Sequence, residues 1–228
     1  MKKGWFEENP ALFAKIQTET RSVYPHLHFC IRDKVVYVTG SFPVRQDGRE
    51  IDRYQVEIQL PPNFPSGIPR VRETGMRIPR IADRHMYADG TACLFVEEEW
   101  IMANPEGTDW FVFLNGPVRN FFIGQCLVEA GAGWPFGQRS HGSKGILECY
   151  AELTCANDLR TAYNYLEMLG KKKLKGHWPC PCGSRMKIRD CHRQVIWSLR
   201  QRIPHQVFQN SWKHVQNELH SKRQPVHR

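Results

Sequence analysis

Apolar residues first recur at helical spacing at Leu12, Phe13, Ile16 and Val23, behind Asn9-Pro10, where a capping side chain precedes a proline suited to the first helical position. The pattern predicts an amphipathic helix that ends before Pro25. The period then drops to two. Residues 28–31, 35–42 and 51–60 read as strands, the last with Tyr54, Val56, Ile58 and Leu60 alternating with polar partners. Asp33-Lys34 and Asp47-Gly48 fall where tight hairpin turns are needed. The stretch from Leu60 to Pro69 holds Pro61, Pro62, Pro65 and Pro69, whose fixed φ angles and missing N–H donors exclude a helix or a central strand. Residues 71–74 are expected to add one more strand, and residues 75–100 show no sustained period. Helical spacing returns over 117–128, through Val118, Phe121, Phe122 and Leu127, and over 145–169, with Gly170 as an end cap. Further on, Val195, Ile196 and Leu199, then Phe208, Trp212, Val215 and Leu219, predict two short helices separated at Pro204. Helix, strands, irregular segment and helices in that order make an α+β pattern without an internal repeat.

The 228 residues are 41% apolar and 24% charged, enough for a buried core in one good-sized domain plus a small module. No window reaches the ~18 consecutive apolar residues of a membrane span, and the start lacks the apolar region of a secretory signal. A cytoplasmic location without membrane contact is the expectation. The eight cysteines then read as thiols, metal ligands or a nucleophile, not as a disulfide framework. Charge is uneven: residues 171–228 carry 14 Lys and Arg against 2 acids, a balance of +12, which leaves −3 for residues 1–170. A domain boundary is expected near Gly170.

Cys93 sits on the irregular segment, in Arg84-His85-Met86-Tyr87-Ala88-Asp89-Gly90-Thr91-Ala92-Cys93-Leu94. An exposed thiol on such a segment suits a nucleophile, while a small buried hydrophobe is the plainer reading. Glu97, Glu98 and Glu99 follow directly; they read as a solvated acidic turn, or as charge that disfavours the thiolate. Cys30 lies in a strand pattern, and Cys126, Cys149 and Cys155 in helical patterns, where core packing accounts for them.

Residues 54–94 resemble the ubiquitin-conjugating enzymes. Phe64-Pro65 and Pro69 match that family's proline-rich turn, residues 71–74 its next strand, and Gly90-Thr91-Ala92-Cys93-Leu94 its active-site loop. The helices before and after fall in the family's order. The resemblance implies an antiparallel four-stranded sheet flanked by helices over residues 1–170. It also implies an acyltransferase that carries a ubiquitin-like protein as a thioester on Cys93 and passes it to an amine. Since the chain has no ATP-binding glycine loop, an activating enzyme is implied as a partner.

The family's His-Pro-Asn triplet is absent: Asp83, Arg84 and His85 stand there. His85 takes the place of the oxyanion-stabilising amide, and a histidine can donate to an oxyanion, act as a base, or simply pack the loop. Asp89 is a candidate for orienting the amine, with an exposed loop acid as the alternative. This departure and the glycine-rich segment from Trp134 onward resemble the bacterial branch found in antiphage conjugation operons. In some of those operons a cGAS-like nucleotidyltransferase is the donor or acceptor. His141 in that segment is a further catalytic candidate, or part of a surface turn.

Cys180, Cys182, Cys191 and His192 place three thiols and an imidazole within 13 residues, a full tetrahedral set for a borderline-soft ion. Structural Zn²⁺ is expected, with disulfides as the alternative. The run, with Gly183 and Ser184, resembles the SEC-C motif, which implies a docking module over residues 171–228. The basic balance leaves nucleic-acid binding open, and a non-catalytic zinc-containing adaptor is the third reading.

Overall fold

The computed structural model describes residues 3–135, 140 and 142–221. The chain is α+β, with one four-stranded antiparallel sheet and nine α-helices among the described residues. It divides into two compact units, one from the described residues of 1–95 and 106–138, the other from those of 96–105 and 139–228.

In the first unit, helices α1 (Trp5–Glu8) and α2 (Pro10–Val23) lead into the sheet. Asn9 caps α2 by accepting from the Leu12 amide at 3.1 Å, with Pro10 in the first turn. Strands β1 (Leu27–Arg32), β2 (Val35–Gln46), β3 (Arg49–Leu60) and β4 (Arg70–Glu73) form a simple meander in that order. Asp33 and Lys34 both have positive φ, as do Asp47 and Gly48, so both two-residue turns have the twist that hairpins require. Gly40 has a φ of 137°, and a Cβ there would lie 2.0 Å from the His26 carbonyl oxygen, so only glycine fits.

The alternation read from the sequence sets the buried face. Phe42 pairs with Tyr54, Val38 with Ile58 and Val36 with Leu60, all buried. Beyond α4 (Trp110–Phe113) and a π-helical turn over Leu114–Val118, helix α5 (Arg119–Glu129) covers that face. Its Phe122 ring stacks on Tyr54 at 4.7 Å and lies 5.6 Å from Phe42. Burying each such ring contributes about 1.5–3 kcal/mol. At the other side Thr20 accepts from the Trp110 indole at 2.8 Å and donates to the Ile16 carbonyl at 2.6 Å, satisfying buried polar groups.

The second unit is helical. It joins α3 (Glu97–Ala103) to α6 (Gly142–Thr154), α7 (Leu159–Leu169), α8 (Arg193–Arg202) and α9 (His205–Ser221) around Tyr150, Leu166, Ile196, Leu199 and Phe208. The helical pattern over 145–169 is two helices, broken at Cys155 with a φ of 53° and restarted by Asp158, which accepts from Thr161 N at 2.8 Å. Cys155 is therefore exposed beyond a helix end and is not core packing. Gly170 ends α7 in right-handed geometry, without the left-handed cap common for glycine.

Packing and charge divide the chain at different places. Charge changes at Gly170, but the apolar faces of α6 and α7 are buried with those of α8 and α9, so they belong to the C-terminal core. Glu98 corrects a second expectation: in place of a solvated acidic turn, α3 carries it fully buried. Tyr150 Oη and Ser211 Oγ donate to its Oε1 at 2.7 and 2.6 Å, while Oε2 has no partner among the described residues. Burial pushes its carboxyl above the usual range.

No described helix is long and apolar enough to cross a membrane. The composition of residues 221–228 reads as a loose basic tail; Ser221 ends α9, and residues 222–228 lie outside the described residues.

Candidate functional site

After β4, the buried Glu73 carboxylate accepts from the amides of Gly75 at 2.8 Å and Arg77 at 3.2 Å, which turns the chain away from the sheet. A 3-10 turn over Ala82–Arg84 follows, and His85 leaves it in left-handed geometry, φ 50° and ψ 40°. The next residues double back. Tyr87 N donates to Thr91 O at 2.9 Å and Gly90 N to Tyr87 O at 3.0 Å, with Gly90 at a φ of 82°. Met86 bridges Ala92. This hairpin rests along β4: Ala92 N donates to Val71 O at 2.8 Å, and Glu73 N to Gly90 O at 3.2 Å.

Cys93 ends the return arm, half-buried, with its amide donating to the His85 carbonyl at 2.8 Å. The Tyr87 hydroxyl donates to its sulfur at 3.6 Å. Burial pushes the Cys93 thiol up, and the bond from Tyr87 opposes that rise. Tyr87 as a whole is exposed, but desolvation around its hydroxyl raises it above its ordinary value, so the phenol is neutral and available as a donor at neutral pH.

The sequence candidates fall in different relations to this sulfur. His85 is joined to Cys93 through the backbone, and its imidazole packs on the Trp134 ring, with centroids 4.2 Å apart. Trp134 in turn fills the space left by Gly124 on α5, where a Cβ would meet the indole at 2.6 Å. Asp89 is exposed; its Oδ1 accepts from Thr91 N at 2.9 Å and its Oδ2 lies 3.6 Å from Arg72. These contacts, the Thr91 amide first, hold its carboxyl below the usual range. His141 lies outside the described residues.

Tyr87 is the group that sequence reasoning missed. Asp89-Gly90 is a hairpin-turn signal, and reading it as one would have set Tyr87 opposite Thr91, beside the thiol.

The second candidate site lies in the C-terminal unit. Pro179 bridges Lys187, Cys180 N donates to Met186 O at 2.8 Å, and Gly183 and Arg185 both have positive φ. This tight loop brings Cys180 and Cys182 to Cys191 and His192 at the start of α8. The four ligand atoms lie within 4.8 Å of one another. His192 Nδ1 is 3.3 Å from the Cys180 sulfur and 3.0 Å from that of Cys191, and the Cys182 and Cys191 sulfurs are 3.5 Å apart.

No disulfide links any of the eight cysteines; that bond would need about 2.05 Å. Sulfur and nitrogen ligands at about 2.0–2.3 Å from a tetrahedral ion stand roughly 3.3–3.8 Å apart; two of these three separations fall in that range and the His192–Cys191 one is shorter, so the donor set fits a metal ion after a small adjustment of the His192 ring. Around the cluster, Ser184 Oγ lies 3.2 Å from the Cys182 sulfur, and the Tyr165 ring meets the His192 ring edge-on at 5.8 Å. Trp178, Trp197 and Trp212 pack against the core of this unit instead of forming a free stacking row.

No family model matches the chain, and no curated protein matches it.

Proposed function

We propose that this protein is a ubiquitin-conjugating-enzyme-like acyl carrier. Cys93 holds the C-terminal carboxyl group of a ubiquitin-like protein, or of another protein, as a thioester and passes it to an amine. One observation carries the reading: Cys93 is a partly exposed residue on a hairpin beside the last strand of an antiparallel meander, with a neutral phenol donating to its sulfur. The order of helix, four strands, thiol segment and covering helix supports the same reading, because it is the order that the family resemblance implies.

An activating enzyme supplies the acyl group as its own thioester. The Cys93 sulfur gives up its proton and attacks the carbonyl carbon; a new C–S bond forms as the donor C–S bond breaks, and the proton ends on the departing thiolate. An amine nitrogen then attacks the same carbon. The Cys93 C–S bond breaks as the amide forms, and the proton lost by nitrogen returns to sulfur. Nothing is oxidised or reduced.

Negative charge sits on Cys93 sulfur before the first attack and after the second, where the Tyr87 hydroxyl stabilises it. Burial keeps the resting thiol protonated, so it reacts slowly with small electrophiles until a partner docks. The His85 carbonyl fixes the Cys93 amide, and Asp89 fixes the hairpin tip.

Zn²⁺ is the ion we assign to Cys180, Cys182, Cys191 and His192. When bound it supplies a structural cross-link with no open position for substrate. The setting that fits these parts is the cytoplasm of a bacterium with an antiphage conjugation operon, where a cGAS-like nucleotidyltransferase is a candidate donor or acceptor.

Incubation with the genetically neighbouring activating enzyme, ATP and a ubiquitin-like protein is expected to give an adduct that thiol reductant releases and that Cys93→Ala does not form. The same adduct on Cys93→Ala would overturn the assignment and leave a metal-stapled adaptor as the reading.

A further inference from the structure

The irregular segment before Cys93 is anchored to helix α5 at two points one helical turn apart. Gln125, fully buried, makes a reciprocal pair with Arg84: its Nε2 donates to the Arg84 carbonyl at 2.7 Å, and its Oε1 accepts from Arg84 Nε at 2.7 Å. Glu129, four residues on, accepts from Arg84 Nη2 at 3.3 Å. The other Glu129 oxygen accepts from Arg77 at 2.6 Å, and Arg77 also reaches Asp52 on β3 at 2.5 Å. Arg84 is thus held by both its backbone and its side chain, directly before the left-handed His85 whose carbonyl receives the Cys93 amide.

We infer that Gln125 and Glu129 are positioning residues for Cys93, acting through Arg84 and His85 to keep the sulfur in reach of the Tyr87 hydroxyl. A left-handed residue other than glycine costs energy and persists where its surroundings fix it. Here the carbonyl before it is tied to a buried amide, and the carbonyl after it is tied to the catalytic candidate. Loss of the Gln125 bonds takes the partner from the Arg84 carbonyl and from Arg84 Nε, leaving the guanidinium only its Glu129 contact, and the cheapest relief is movement of residues 84–85. Cys93 then shifts against Tyr87. The catalytic meaning of this placement rests on the carrier reading of Cys93; the placement itself does not.

The test is the pH profile of Cys93 alkylation by iodoacetamide, followed on the Cys93 peptide by mass spectrometry in the full-length folded protein. Gln125→Met fills the same space without either bond. Its profile is expected to move to higher pH, with the rate at neutral pH about fivefold lower, the size expected for weakening one hydrogen bond to a charged sulfur. Gln125→Glu keeps the acceptor for Arg84 and is expected to restore part of the rate.

Glu129→Gln, at the half-exposed end of the network, provides a variant that leaves the buried amide untouched. Removing its negative charge would by itself favour the thiolate, so an upward move in its profile reports displacement and not charge. A folded Gln125→Met with the parent profile overturns the inference, and so does a downward move in Glu129→Gln.

Parent protein that forms no thioester while both variants move the profile would remove the carrier reading and leave the positioning role standing. Thioester formation with unchanged profiles would do the reverse.

Discussion

The Tyr87 hydroxyl lies 3.6 Å from the Cys93 sulfur and donates to it across the two arms of one hairpin. Two opposed influences meet on this thiol. Burial favours the neutral form, and the phenol bond favours the thiolate. Tyr87→Phe removes the second alone and leaves the ring packing in place. The thiolate titration of Cys93, read by its ultraviolet absorbance in a protein whose other reactive cysteines are blocked, is expected to move to higher pH. An unmoved titration would mean that the hydroxyl does not act on the sulfur.

Glu98 makes a pH-dependent contribution of opposite sense to most carboxylates. Its folded-state pKa is raised above the ordinary value of 4.5, so the folded protein retains a proton that the unfolded chain releases. Stability therefore falls as pH rises from about 4.5 toward the folded-state pKa, and levels off above it. Glu98→Gln keeps an oxygen for Tyr150 and Ser211 but cannot ionise. Relative to the parent, it is expected to gain stability as pH rises, by about 1.4 kcal/mol for each tenfold suppression of ionisation. Urea midpoints measured from mildly acidic to neutral pH check the slope; parallel curves for the two proteins would contradict it.

Metal in the Cys180, Cys182, Cys191 and His192 cluster should appear as one equivalent by elemental analysis of protein purified without chelator. Stripping it, or replacing Cys191 with serine, is expected to lower the unfolding temperature of the C-terminal unit. With free metal a thousandfold above the dissociation constant, the loss is about 4 kcal/mol. Identical melts with and without chelator would remove the metal assignment.

Much of the first unit was legible because local chemistry and global packing agree there. Asp33-Lys34 and Asp47-Gly48 tolerate the positive φ of tight turns, and Tyr54, Val56, Ile58 and Leu60 alternate onto one buried face. The metal cluster was legible for a different reason: its four ligands are close in sequence and share one chemistry.

What the sequence concealed depends on contacts between distant positions. Nothing local reveals that Glu98 is buried, because the groups that receive it, Tyr150 and Ser211, lie 52 and 113 residues away. Gln125 sits among apolar neighbours on α5, where one amide draws no notice until Arg84 is placed against it. The break at Cys155 was hidden because the apolar spacing continues across it, although Asp158 is a cap signal.

Helix α3 belongs to the second unit by packing but lies within the first by chain order: the polypeptide leaves after Phe95 and returns at Glu106. No single scission can therefore release either body whole. A fragment ending at residue 138 carries Glu98 away from the tyrosine and serine that receive it, and one beginning at 139 lacks the helix that its interior was shaped around. Dissection of this protein calls for grafting a short connector across residues 96–105, not for trimming an end.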